Sequence, residues 1–387
     1  MDRAGRTLEI RNLSGMVTGR LGDDVATPEV IRVEDGIIAG FETGPGPDAV
    51  LDAGGAVACP GLIDSHAHVV FGDWTPRQGT LGWIESSMHG GVTTMMSASE
   101  VHLPGRPKDR EGVKALAVAA QRAFESFRPG GVKVLAGSVI IEPTLEPADF
   151  AELKEKGVWL AKVGFGDFSP QADAAPLVRA AQEQGFVVMN HTGGASIPDS
   201  SPVTIEDVLA LRCDIIGHAN GGTTALPDDD LPQLFDAPGA IQLVQAGNLR
   251  SSMEIIELGW DQDLLDRIVL ATDTPTGTGV MPLGMIKTVC EISSLCGMPA
   301  TKAIALATGN NGAVLGVDQG VLDIGRPADL FCCFRPLGSS QDGPLESIEY
   351  GDIPGIAAVV IDGEVRALRS RNTPAPDGAC EIKENNG

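Results

Sequence analysis
From Pro60 to about residue 317 the chain alternates short apolar runs with amphipathic stretches, and this alternation constrains its fold more than any other feature. GLIDSHAH, GVTTMMSAS, GVKVLAGSVII, GVWLAKVGFG, GFVVMNHTGG, CDIIGHANGG, AIQLVQAGN and RIVLATDTPTG are apolar runs that close on polar, often Gly-rich residues. Helical patterns such as VKALAVAAQRAFESF, PADFAELKEKG, DAAPLVRAAQEQG and TIEDVLALRC lie between them. Strands buried on both faces read as continuous apolar runs, and a parallel neighbour needs a long crossover, usually a helix. Eight such strands predict an α/β fold, a closed (β/α)8 TIM-type barrel.

The two ends of the chain read differently. TLEIRNL, VIRVEDGIIAGF and AVLDAGGAVAC near the start, and QGVLDIG, ADLFCCF and AAVVIDGEVRAL near the end, are short β runs cut by Gly, Asp and Pro. The expected division is residues 1–59 and 318–387 as the two halves of one small β-sandwich domain, with residues 60–317 as the barrel. A chain of 387 residues has room for a barrel of about 250 residues and such a domain. The closing stretch TPAPDGACEIKENNG is expected to be a polar, frayed tail.

Charge excludes two classes of partner. With 28 basic against 52 acidic residues the net charge is −24, whereas nucleic acid or an anionic membrane needs a concentrated positive surface. No apolar run reaches the ~20 residues that span a bilayer. MDRAGRTLEIRNLSG carries no apolar h-region, so the expectation is a cytoplasmic protein. The seven cysteines, at 59, 213, 290, 296, 332, 333 and 380, form no CxxC pair and read as reduced, mostly buried thiols.

Barrel enzymes place their chemistry at the C-terminal ends of the strands, and that rim is where the histidines fall. In a strand alternate side chains share a face, so His66 and His68 at the end of GLIDSHAH project together. His191 ends VVMNH, His218 ends IIGH, Asp273 ends IVLATD, and Lys162 lies within VWLAKVG. Neutral imidazoles and carboxylates are ligands of Zn²⁺ and similar ions. His66, His68 and Asp273 are expected to hold one divalent ion, and His191 and His218 a second. Two ions about 3.5–4 Å apart share a bridging hydroxide, a strong nucleophile at neutral pH. An ammonium between two dications would be repelled; carboxylation of Lys162 at N6 resolves the conflict, because a carbamate offers an anionic oxygen to each ion. The other reading has Lys162 pointing outward, or staying as a neutral amine beside a single metal.

The order HxH, strand-embedded Lys, His, His, Asp, framed by two terminal β segments, resembles the amidohydrolase superfamily across essentially the whole chain. PGLIDSHAH, GVTT, GNNGAVLG, and GVLDIGRPADL with VVIDGEV carry the likeness. HGGVTTMMSAS, PGRPKD, HTGGASIPDSS and GDIPGI with SRNTP narrow it to the enamidases, cyclic-amide hydrolases of nicotinate fermentation. The resemblance implies a homotetrameric barrel enzyme with two divalent metals, zinc or an iron–zinc pair. It implies a substrate of the 6-oxo-1,4,5,6-tetrahydronicotinate type, opened by attack of a metal-bridging hydroxide. Asp273 is then the catalytic residue, taking the nucleophile's proton and delivering it to the leaving nitrogen. Enamidases carry a bridging glutamate where this chain has Lys162. Arg106, Lys108 and His102 are candidates for binding the substrate; a solvated basic loop or a subunit contact is the other reading of the first two. The alternatives are a hydantoinase- or dihydropyrimidinase-like, lactonase or deaminase activity, and an inactive scaffold. No glutamate follows His191 in TGGASIP, as a deaminase would require, and a scaffold typically loses ligands that this chain keeps.

Overall fold
The structure, a computed structural model, describes residues 6–71, 77–101, 105–195, 200–275 and 279–384. The apolar runs after Pro60 form parallel strands whose spatial order follows the sequence. Leu62–Ala67, Val92–Ser97 and Lys133–Leu135 make one sheet. Ser138–Ile140, Leu160–Val163, Val187–Asn190, Ile215–Ile216, Ala240–Val244 and Ile268–Ala271 make a second.

GVKVLAGSVII was expected as one strand but is interrupted at Ala136–Gly137. Gly137 takes a φ of +93°, a region open to glycine, and its N–H turns to Glu100 Oε1 at 2.9 Å. The residues just after Val92–Ser97 bridge this interruption: Glu100 N donates to Ser138 O at 3.0 Å and Ser138 Oγ to Ala98 O at 3.1 Å. The first and last parallel strands are also tied. Asp273 N donates to His66 O at 2.8 Å and His68 N to Thr274 O at 2.9 Å. Asn311, in the phrase GNNGAVLG, donates from Nδ2 to Ile63 O at 3.0 Å and to Leu270 O at 2.8 Å.

Helices cover the parallel strands by the expected amphipathic logic. Arg110–Phe124 buries Val113, Ala117, Ala120 and Phe124, one stripe at helical spacing. It starts three residues before the VKALAVAAQ pattern because Asp109 caps it, accepting from Gly112 N at 2.9 Å. Ile205–Leu211 opens on a capping box between Thr204 and Asp207. No helix among the described residues is long and apolar enough to cross a membrane.

Strands from both chain ends share two further sheets. In one the order is Glu381–Glu384, Ala49–Asp52, Thr7–Arg11, Val30–Glu34, Ile37–Gly40; in the other it is Glu364–Leu368, Gly355–Ile361, Leu330–Phe334, Val57–Pro60, Gly15–Met16. Ile10, Ile31 and Leu51 of the first join Leu330, Cys332 and Val360 of the second in a separate apolar core, each such buried aliphatic chain contributing roughly 1.5–3 kcal/mol. VIRVEDGIIAGF and AAVVIDGEVRAL are hairpins rather than single strands. Their Asp35–Gly36 and Asp362–Gly363 pairs all have positive φ, as a two-residue type I′ turn demands. AVLDAGGAVAC likewise splits into two strands, and QGVLDIG forms none.

The tail departs from expectation. Glu381–Glu384 pairs antiparallel with Ala49–Asp52, Ile382 opposite Leu51, and Cys380 is buried. An edge strand needs only one paired side and can leave its side chains in water, as these four are, so its polar composition concealed it. All seven cysteines are free, and all but Cys296 are buried.

Candidate functional site
Alternation along Leu62–Ala67 and its continuation does bring His66 and His68 to one place. Their Nε2 atoms lie 3.3 and 3.2 Å from Asp273 Oδ1, and one ligand atom from each of the three falls within a 4.8 Å cluster. Donors bound to one tetrahedral ion at 2.0–2.1 Å stand about 3.3 Å apart. The two edges that meet at Asp273 therefore already match those of a coordination shell.

His191 and His218 form a second pair, with His191 Nδ1 2.9 Å from His218 Nε2. His191 Nε2 lies 2.9 Å from Gly194 O; a carbonyl only accepts, so neutral His191 carries its proton on Nε2 and turns the Nδ1 lone pair toward His218. The rings of His66 and His218 are 5.3 Å apart, so the two groups adjoin. Local backbone is shaped for this. Gly164 has a φ of +110°, and a Cβ there would meet His191 Cβ at 2.5 Å. His218 and Asp273 hold positive φ, +38° and +58°, conformations that cost non-glycine residues energy and cluster at functional sites.

Lys162 projects from Leu160–Val163 and is fully buried; its Nζ has no hydrogen-bond partner among the described residues. Burial pushes its ammonium down to about 7, with Asp273 opposing. Burial, then the charge of Lys162, drives His66 far below the usual imidazole range; for His218, burial and His191 act first. Burial brings His191 down to about 4. These rings are neutral at pH 7, the form that ligates a metal.

Sequence reasoning overlooked the groups that hold these side chains. Gln242 lies at 0% exposure with Oε1 2.5 Å from His66 Nδ1. Asp64, pushed up to about 6 by burial, accepts from Thr272 N at 3.0 Å and Thr272 Oγ1 at 2.6 Å. Glu100, pushed up to about 7 by burial, accepts from the N–H groups of Gly137 and Ser138. The available signal was a polar residue inside an apolar run: Gln in AIQLV, Asp in GLIDS.

Arg106 is buried against Glu142, and its Nη2 donates to Phe165 O at 2.5 Å. The Phe165 ring packs on His191 at 4.9 Å, so Arg106 is linked to the histidines through Phe165. Lys108 pairs with Asp167 at 2.6 Å, both exposed. His102, and residues 276–278 of the TPTGTG loop, lie outside the described residues.

Comparison with known proteins follows the same lines. No family model matches the sequence. Enamidase of Eubacterium barkeri is 42% identical over 380 residues, covering 96% of this chain and 98% of that protein. The crystal structure of an enamidase described as a member of the amidohydrolase superfamily superposes with a TM-score of 0.92 at 41% identity, covering 97% of this chain and 100% of its own. An imidazolonepropionase of Sphingopyxis alaskensis is 24% identical, covering 84% of this chain and 91% of its own length.

Proposed function
The chain belongs to the amidohydrolase superfamily as a homologue of enamidase, and on that premise we propose that it is a metal-dependent hydrolase opening a small cyclic amide. The reading rests on one observation above the others: His66 and His68 each stand at coordination-shell spacing from Asp273 Oδ1, the three donors clustering within 4.8 Å, with His191 and His218 adjoining. In this reading the parallel strands close into one (β/α)8 barrel spanning residues 60–317, and residues 1–59 and 318–387 form the β-sandwich domain. The protein is cytoplasmic and assembles as a homotetramer.

His66, His68 and Asp273 would hold one divalent ion, zinc first, and His191 with His218 a second, zinc or iron. Bound ions would supply Lewis acidity toward the amide carbonyl and a water acidic enough to react at neutral pH. Lys162 joins the two groups as its N6-carboxylate. Its neutral amine adds to the carbon of CO₂ and releases one N–H proton to solvent, and the resulting carbamate carries one negative charge shared by two oxygens. Burial favours this step by lowering the ammonium to about 7, so that a large share of the amine is unprotonated near pH 7. Asp273 takes up the nucleophile's proton and hands it to the ring nitrogen as the C–N bond breaks. For an enamide of the 6-oxo-1,4,5,6-tetrahydronicotinate type the opened product is an enamine, which hydrolyses to ammonia and an aldehyde. Arg106 would receive a ring carboxylate, with Lys108 and His102 as the further candidates for binding the substrate.

An ammonia-release and ring-opening assay tests the substrate class, run on 6-oxo-1,4,5,6-tetrahydronicotinate beside dihydrouracil, hydantoin and a lactone. Turnover of the enamide with ammonia as product is expected. Turnover confined to dihydrouracil or hydantoin would overturn the substrate assignment and leave the metal site standing.

A further inference from the structure
Gln242 projects from Ala240–Val244 into the space between the two histidine groups. Its Nε2 donates to Ser65 O at 3.2 Å and to Ser65 Oγ at 2.9 Å, and its Oε1 faces His66 Nδ1 at 2.5 Å and the backbone N–H of His218 at 3.4 Å. A carbonyl can only accept and a backbone N–H can only donate. Ser65 O and His218 N–H therefore admit one orientation of the amide, nitrogen toward Ser65 and oxygen toward His66. An amide oxygen has no proton to give, so the short contact with His66 requires the imidazole proton to sit on Nδ1. The lone pair is then left on Nε2, the atom 3.3 Å from Asp273 Oδ1.

We propose that Gln242 is a positioning residue that fixes the tautomer and ring orientation of His66 and ties that orientation to the backbone of His218, so that one amide presets a ligand in each half of the metal centre. This deepens the metal reading above and rests on it. A ligating histidine generally gives its second N–H to an acceptor of this kind, and loss of such an acceptor costs about 10- to 100-fold in metal affinity. The residue comes from a different strand than either histidine, which is why spacing along the chain does not reveal it.

The test begins with metal-free wild-type protein labelled with ¹⁵N at its six histidines, His66 being assigned from the resonances lost in His66→Ala. A protonated Nδ1 and unprotonated Nε2 at His66 are expected; a proton on Nε2 overturns the proposal without any Gln242 variant. Zn²⁺ affinity is then measured by chelator competition for wild type, Gln242→Leu and Gln242→Glu. Gln242→Leu should lose about 10- to 100-fold and the Nδ1–H tautomer, and Gln242→Glu, which keeps an oxygen opposite Nδ1 but loses the amide's donation to Ser65 O, should retain the tautomer. Unchanged affinity in Gln242→Leu contradicts the proposal. If that variant does not fold, the glutamate variant decides, since loss of the Nδ1–H tautomer there equally contradicts it. Failure of wild type to take up any divalent ion overturns the metal reading, and the tautomer measured without metal tells that failure apart from an error about the amide.

Discussion

Lys162→Met is expected to stabilise the metal-free protein, by an amount that depends on pH in a defined way. Lys162 is fully buried, and its ammonium falls from 10.5 in an ordinary setting to about 7. Between those values the unfolded chain binds a proton that the folded chain does not, so this group's contribution to stability rises with pH across the window. Its cost is fully present below about 7 and gone above 10.5. Integrating over the two protonation equilibria gives about 4 kcal/mol at pH 7 and about 1 kcal/mol at pH 10. Methionine has a similar volume and no charge, so packing changes should stay small. Denaturant unfolding of both proteins after metal removal, in CO₂-depleted buffer at pH 7 and pH 10, measures the difference. Titrating groups that do not interact with Lys162 cancel in it. A variant more stable by about 4 kcal/mol at pH 7 and by about 1 kcal/mol at pH 10 is expected. A pH-independent difference, or a less stable variant, would refute the claim that Lys162 is held as a neutral amine.

Three further experiments separate the roles assigned above. Asp273→Asn should keep metal largely bound yet lower turnover by about 10²–10⁴-fold, the usual worth of a positioned proton carrier, as metal analysis beside kcat would report. Arg106→Ala strands the buried Glu142 carboxylate and should cost about 3 kcal/mol; adding Glu142→Gln should recover most of that, while KM for a carboxylate-bearing substrate stays raised by about tenfold. A normal KM in the double variant would make Arg106 structural only. Glu100→Gln should stabilise the protein more at pH 8 than at pH 5. Burial raises the folded carboxyl from 4.5 to about 7, so the folded chain binds the extra proton in that window and wild-type stability falls as pH rises through it; the gain should grow by about 2 kcal/mol, and a gain that shrinks with pH would rule the assignment out.

The parallel strands were legible in the sequence because strands covered on both faces leave continuous apolar runs, and period-two alternation alone was enough to bring His66 and His68 together. The burial of Lys162 was legible for a related reason: a lysine with apolar residues on both sides in LAKV lies in a strand covered on both faces. Gln242 and Asp64 were not, because each works through a partner on a distant strand, Gln242 through Ser65 and His66 and Asp64 through Thr272. Their meaning is set by sheet register, which no local pattern encodes. The hairpins at Asp35–Gly36 and Asp362–Gly363 carried the Asp-Gly signal of a type I′ turn; reading each run whole passed over it. The edge strand Glu381–Glu384 gives no apolar signal at all, since its stability comes from backbone pairing with Ala49–Asp52.

The central claim is that the His66, His68, Asp273, His191 and His218 cluster serves metal-dependent opening of a cyclic amide. Titrating the metal-free protein with Zn²⁺ while following ammonia release from 6-oxo-1,4,5,6-tetrahydronicotinate tests it most directly. Turnover should be absent without metal, rise with added ion and saturate near two equivalents per chain. Full turnover in chelator-treated protein holding less than about 0.1 metal per chain would contradict the account.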